Sequence, residues 1–203
     1  MCVSDKVRIF AAMGKNLYII SGCNGAGKTT ASYTVLPEIL ECREFVNADE
    51  IAKGLSPFNP ESVAIEAGRL MLQRIEHLLD KGDNFSIETT LATKSYVNLI
   101  RKAHERGYYV HLIFFWLESP ELAIRRVAER VSKGGHNIPS DVISRRYVLG
   151  INNLFKLFMN KVDLWMIYDN SRTSRVFVAK GGKDIDTEIV SETLYNKIKN
   201  YVR

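Results

Sequence analysis

Cysteine, tryptophan and proline are scarce in this chain of 203 residues, at three, two and five copies. Cys2, Cys23 and Cys42 form no CxxC pair and cannot all be joined to one another, so a disulfide framework is not expected and a reducing compartment is the simpler home. No apolar run approaches the ~18 to 20 residues of a membrane span, and the run Ile9 to Met13 is too short for a secretory h-region. The expectation is a cytoplasmic protein with no membrane partner. Histidine is also sparse, and His77, His104 and His111 lack partners at metal-ligand spacing, which makes them surface or strand residues.

Neither charge sign dominates strongly. Lysine and arginine total 28 against 23 acidic residues, a net charge of +5 that favours anionic ligands without naming one. The positive charge forms no polybasic tail, and no nucleic-acid-binding module is recognisable, so a nucleic-acid-dependent NTPase is a weak reading. Hydrophobic residues at 46% and charged residues at 25% exclude disorder, fibrous repeats and a membrane bundle. The length suits one α/β domain over 1–203, with 1–15 peripheral.

Short β-rich runs alternate with helical patterns along the chain. Strands are expected at 17–20, 44–47, 85–87, 108–117, 164–168 and 175–179. Helices are expected from Lys28, over 61–81, 94–106, 120–131, 139–161 and 188–202. Residues 108–117 are the longest apolar strand and the expected centre of a sheet buried on both faces, with Trp116 and Trp165 in core strands. Alternation of this kind predicts a three-layer α/β fold with a parallel or mostly parallel sheet of five to six strands.

The strongest motif is Gly22-Cys-Asn-Gly-Ala-Gly27-Lys28-Thr29, a GxxxxGK[ST] phosphate-binding loop between a predicted strand and a predicted helix. Its backbone amides and the helix start suit phosphate oxygens. Lys28, expected to reach through solvent, suits the β and γ phosphates, and the Thr29 hydroxyl suits Mg2+. Gly22, Asn24, Gly25, Ala26, Gly27, Lys28, Thr29 and Thr30 are therefore the expected ligands of ATP and Mg2+.

Two carboxylates follow strands where open α/β sheets place their ligands. Asp49, in Val46-Asn-Ala-Asp-Glu50, suits a base that takes the proton of an acceptor hydroxyl, or else an N-cap of the next helix. Glu88, in Ser86-Ile-Glu-Thr-Thr90, suits a substrate-hydroxyl contact, a ligand of Mg2+-bound water, or a satisfied structural carboxylate. Cations to match phosphoryl charge are available in Arg125, Arg126, Arg130, Lys133, His136, Arg145 and Arg146. They bracket Gly134-Gly135 and outline a helical lid over 125–146, although arginines on exposed helix faces are also ordinary.

The loop, Asn-Ala-Asp-Glu followed by Gly-Leu-Ser-Pro, Ile-Glu-Thr-Thr-Leu on the third strand, and Gly-Gly-His-Asn-Ile-Pro ahead of Arg-Arg-Tyr together resemble the zeta-toxin-like P-loop kinases over about Leu17 to Asn170. The resemblance implies a P-loop NTPase or kinase fold. It also implies transfer of the ATP γ-phosphate to a hydroxyl of a small molecule, such as the nucleotide sugar UDP-N-acetylglucosamine. By it Asp49 is the base, Lys28 and Thr29 the phosphate and metal residues, Glu88 and Thr90 substrate contacts, and Arg145 or Arg146 the γ-phosphate clamp, with Arg130 and His136 on the substrate side. Two departures bear on the acceptor. Where toxin members carry an arginine after the third-strand acidic motif, this chain has Ala92, and Gly134-Gly135-His136-Asn137-Ile138-Pro139 stands where the toxin lid places a basic residue before its proline. A regulatory nucleotide switch acting through a protein partner is the alternative function.

Overall fold

A computed structural model describes residues 14–38, 42–135 and 137–202. His136 and most of the segment expected to be peripheral lie outside the described residues, whereas Lys15 opens the first strand.

Among the described residues seven strands make one sheet: β1 (Lys15–Gly22), β2 (Glu44–Val46), β3 (Phe85–Thr89), β4 (Tyr108–Trp116), β5 (Leu164–Asp169), β6 (Val176–Gly182) and β7 (Ile185–Ile189). Seven helices accompany them among the described residues: α1 (Lys28–Glu38), α2 (Ala48–Leu55), α3 (Ala64–Lys81), α4 (Tyr96–Glu105), α5 (Pro120–Val131), α6 (Ser140–Asn153) and α7 (Glu192–Lys199). The strand order is β2-β3-β1-β4-β5-β6-β7, with β4 at the middle. Only Tyr109 of β4 is less than buried, because a strand covered by helices on both faces has no solvent side to carry polar alternation.

The first five strands in that order are parallel, as expected, but β6 and β7 run antiparallel to their neighbours. The sheet is thus mostly parallel, as expected, with seven strands among the described residues where five to six were expected. The connection from Asp169 to Val176 is too short for a crossover, so the chain can only turn back. Ile185–Ile189 reads Ile-Asp-Thr-Glu-Ile, whose polar middle resembles the start of the closing helix; it forms instead a half-exposed edge strand, and α7 begins only at Glu192. Two further boundaries move. The expected helix from Glu61 starts at Ala64 after a 3-10 turn at Pro60–Val63, and the expected 139–161 helix ends at Asn153 in a π turn over Leu154–Phe158.

Helix α3 buries Ala67, Met71, Ile75, Leu78 and Leu79, the 3.6-residue stripe of the sequence, although Leu70 lies outside it and is exposed. Trp116 and Trp165 are buried in strands β4 and β5 as expected. His111 is fully buried on β4, between the rings of Tyr18 and Tyr109 and 2.9 Å from the Asn16 Oδ1. Burial pushes its pKa down to about 4, with Asp163 opposing. The sheet order matters most for function: chain leaving β2 and β3 lies on one side of the β1 loop, and chain leaving β4 on the other.

Candidate active site

The loop after β1 is held by contacts that forbid larger residues. Gly22 lies at φ +140°, and a Cβ there would fall 2.2 Å from the Phe115 carbonyl oxygen of β4. Gly27, at φ +78°, faces the Asn170 Nδ2 at 2.7 Å from where its Cβ would stand. That same amide donates to the Ala26 carbonyl at 2.7 Å and fixes one peptide plane of the loop. Asn24, Gly25, Gly27, Lys28, Thr29 and Thr30 line a cleft of about 1090 Å³, while Gly22 and Ala26 face inward and shape the loop. Helix α1 starts at Lys28, so its first-turn amides, which have no partner within the helix, are presented at this cleft.

Lys28 is buried, with 6% of its surface exposed, which corrects the expectation of a side chain reaching through solvent. Its ammonium donates to the Cys23 carbonyl at 2.9 Å and lies 3.8 Å from Glu88 Oε1. A phosphate entering the loop would draw the ammonium over a short path. Cys23 beside it is buried, and burial raises its thiol pKa to about 11 despite Lys28 and Arg126.

Glu88, at the end of β3, joins three strands' worth of chemistry. Its Oε2 accepts from the Thr29 hydroxyl at 2.7 Å and from Asn47 Nδ2 at 2.9 Å. Asn47 is the residue sequence reasoning missed. It is buried, and its Oδ1 accepts from the Asp49 amide at 2.9 Å, making it the N-cap of α2. Asp49 therefore sits in the first turn and is not the cap, which corrects that alternative. The signal was available, since an Asn two residues before an Asp at a helix entry is the commoner cap geometry. With its backbone fixed in this way, Asp49 lines the cleft beside Glu50 and Lys53.

Thr89 and Thr90 also line the cleft, and the turn after them is held tightly. Leu91 has φ +61° with its side chain fully buried, its amide accepted by the Thr89 hydroxyl at 3.0 Å and its carbonyl bonded by Asn153 Nδ2 at 2.8 Å. A bulky residue in the left-handed region is strained and persists because its surroundings over-determine it. Gly150 of α6 supplies one such surrounding, as its missing Cβ would lie 2.6 Å from the Thr90 carbonyl.

The arginines expected to act alike occupy three environments. Arg126 donates to the Asn170 and Ser171 carbonyls at 2.8 and 2.9 Å and braces the segment after β5 that holds the loop through Asn170. Arg146 approaches Asn24 Oδ1 at 3.5 Å, and with Arg130 and Lys133 it lines the cleft. Arg145 is exposed and is not among the described lining residues, so the structure separates it from the clamp. Gly134 and Gly135 border the same side.

A phosphate loop on a β2-β3-β1-β4-β5 core, with a carboxylate on the neighbouring strand bonded to its threonine, defines the P-loop kinase class of fold. The zeta toxin family pattern matches residues 5–181, and the chain belongs to that family. A protein of Haemophilus influenzae (strain ATCC 51907 / DSM 11121 / KW20 / Rd), itself uncharacterized, is 31% identical over 126 residues, covering 62% of this chain and 88% of its own. Among solved structures, the AvrRxo1-ORF1:ORF2 complex with ATP superposes with a TM-score of 0.72 at 19% identity, covering 97% of this chain and 70% of that one. A structure from the PezAT chromosomal toxin–antitoxin system of Streptococcus pneumoniae gives a TM-score of 0.66 at 18% identity, covering 100% and 89%. These two likenesses establish the fold.

Proposed function

We propose that the protein transfers the γ-phosphoryl group of ATP, with Mg2+, to a hydroxyl of a small molecule. The observation that carries this is the joined set of Lys28, Thr29 and Glu88, lining one continuous cleft together with Asp49. The oxygen donors of Thr29 and Glu88 suit Mg2+, which is commonly held by one or two protein oxygens together with substrate phosphates. Bound there, the ion would neutralise charge on the β and γ phosphates.

Asp49 takes the proton of the acceptor hydroxyl as its oxygen forms a bond to the γ-phosphorus and the bond from that phosphorus to the β–γ bridging oxygen breaks, releasing ADP. Lys28, Arg146 and Arg130 supply cations for the phosphoryl oxygens, and the loop amides hold the remainder. A nucleotide switch needs no room beyond the nucleotide, whereas this cleft continues past Asp49 to Met71 and Tyr96, which favours transfer to an acceptor. UDP-N-acetylglucosamine is the acceptor suggested by family resemblance. A protein partner is a further proposal, supported by the two-protein systems of the similar structures.

The test is incubation with γ-labelled ATP and Mg2+ against neutral sugars, amino sugars, nucleosides and nucleotide sugars. Label in one acceptor, lost with Lys28→Ala, is expected. Label released only as inorganic phosphate, whatever acceptor is present, would leave the switch as the better reading.

A further inference from the structure

The segment that leaves β5 reaches the phosphate loop through Asn170, and it is held there from several sides. The Asn170 amide donates to the Trp116 carbonyl of β4 at 2.9 Å, and the Asn170 carbonyl accepts from Arg126 Nη1 at 2.8 Å. Next to it the Ser171 amide donates to Asp169 Oδ1 at 2.9 Å, and the Ser171 hydroxyl oxygen accepts from the Glu118 amide at 2.8 Å. The Asn170 backbone therefore has little freedom. Its side chain turns Nδ2 to the Ala26 carbonyl at 2.7 Å, and the missing Cβ of Gly27 leaves the room for it.

We infer that Asn170 is a positioning residue for the phosphate cradle: by holding the Ala26 carbonyl away from the cleft it keeps the Gly27 N–H turned into the cleft, where that N–H donates to a phosphate oxygen of the nucleotide. This rests on the nucleotide-binding part of the reading above and on nothing about the acceptor. In a trans peptide the C=O and the following N–H point in opposite directions, so an oxygen fixed on the Asn170 side sends the Gly27 N–H the other way. Gly27 lines the cleft and Ala26 is not among the described lining residues, which puts that N–H on the phosphate side. The peptide plane needs holding, because Gly27 sits at φ +78° and a glycine takes either sign of φ at little cost. Turned over, the same peptide would present its carbonyl oxygen to the phosphate in place of a donor. Asn170 is itself not among the described lining residues, so it acts through the loop.

The experiment follows ADP and Mg2+ binding, by calorimetry and by NMR, to the full chain and to two variants. Asn170→Ala removes the donor, and Asn170→Asp keeps the shape but offers the Ala26 oxygen only acceptors. In the parent, ADP should move the Gly27 amide proton downfield, as a new hydrogen bond to an anion does, while that of Gly107, at the far end of β4 from the loop, stays in place. In both variants the Gly27 shift should be lost. ADP affinity should fall about tenfold to a hundredfold in Asn170→Ala, the worth of one hydrogen bond to a charged group, and further in Asn170→Asp, whose charge also repels phosphate. The melting temperature of Asn170→Ala should drop by no more than about 4 °C, since the half-buried side chain gives up one neutral bond. A merely structural asparagine would give the reverse pattern, with stability lost and the Gly27 response kept. A Gly27 amide that ADP leaves unmoved in the parent overturns the inference without any variant, and so does an ADP affinity of Asn170→Ala within about twofold of the parent's. If the parent takes up no ADP at millimolar concentration, the inference falls together with the nucleotide reading, whereas failure of every acceptor to gain label touches only the transfer reading.

Discussion

Glu88 and Thr29, 59 residues apart in sequence, share a hydrogen bond of 2.7 Å from the threonine hydroxyl to the carboxylate. The bond crosses from β3 to the first turn of α1 and places the acidic group beside the position where a loop threonine meets a phosphate-bound cation. It favours the Mg2+-side reading of Glu88 over a contact with the acceptor alone.

Glu88→Gln tests this directly. Both bonds go to Oε2, so a carboxamide oxygen there can still accept them, but an NH2 then replaces Oε1 beside the Lys28 ammonium and the negative charge is gone. The Mg2+ concentration needed for half-maximal turnover should rise between about tenfold and a hundredfold, with ATP affinity in the absence of metal little changed. A variant whose Mg2+ dependence matches the parent's would return Glu88 to a structural role.

Arg146 and Arg145 form a matched pair of variants, because they are sequence neighbours of which the first is half-buried at the cleft and the second exposed away from it. Arg146→Lys keeps the charge but loses the planar fork at the cleft wall, so kcat should fall on the order of a hundredfold with a smaller change in KM for ATP. Arg145→Lys should behave as the parent. Equal effects in the two variants would mean that α6 contributes charge diffusely and not through one side chain.

How much of this was legible beforehand follows from the range of the forces involved. The phosphate loop, β4 and the α3 stripe are local patterns, and each was readable from consecutive residues. Strand direction at β6 and β7 depends on loop length and edge exposure, which a polar run such as Asp186-Thr-Glu188 does not distinguish from a helix start. The site was legible as a set of residues but not as a network. Asn47 acquires its role only because β2 pairs with β3, which carries its neighbour Glu88 into reach. Arg145 and Arg146 look alike until helix rotation decides which of them faces Asn24.

His111 gives the fold an acid limit of its own. With its pKa near 4 in the folded state against an ordinary 6.5, the folded protein binds fewer protons than the unfolded chain between those values. Stability therefore rises with pH across that window and is lost as acid is added, on the order of 3 kcal/mol in full. Replacement His111→Phe should flatten the slope of unfolding free energy between pH 4 and 6.5 relative to the parent, even though the Asn16 amide loses a partner and the variant starts less stable. Parallel pH profiles measured by urea unfolding would assign the acid sensitivity to other groups.

Asp49 and Asn47 offer the sharpest separation of chemistry from structure, since they share one helix entry and divide its roles. Asn47→Ala removes the cap of α2 and one partner of Glu88, so it should lower stability by about 1 to 2 kcal/mol and also disturb turnover. Asp49→Asn leaves the cap in place, because Asn47 makes it through the Asp49 backbone amide and not through the side chain. That variant should melt within a degree or two of the parent and bind ATP as well, since a first-turn side chain is worth only about 0.5 kcal/mol to the helix. Its carboxamide cannot take a proton, however, and transfer to the acceptor should fall by about a hundredfold or more. Measured side by side, Asn47→Ala should fail in calorimetry as well as in label transfer, and Asp49→Asn in label transfer alone. Full activity in Asp49→Asn would remove the base from the proposed mechanism and leave proton removal to solvent or to the carboxylate of Glu88.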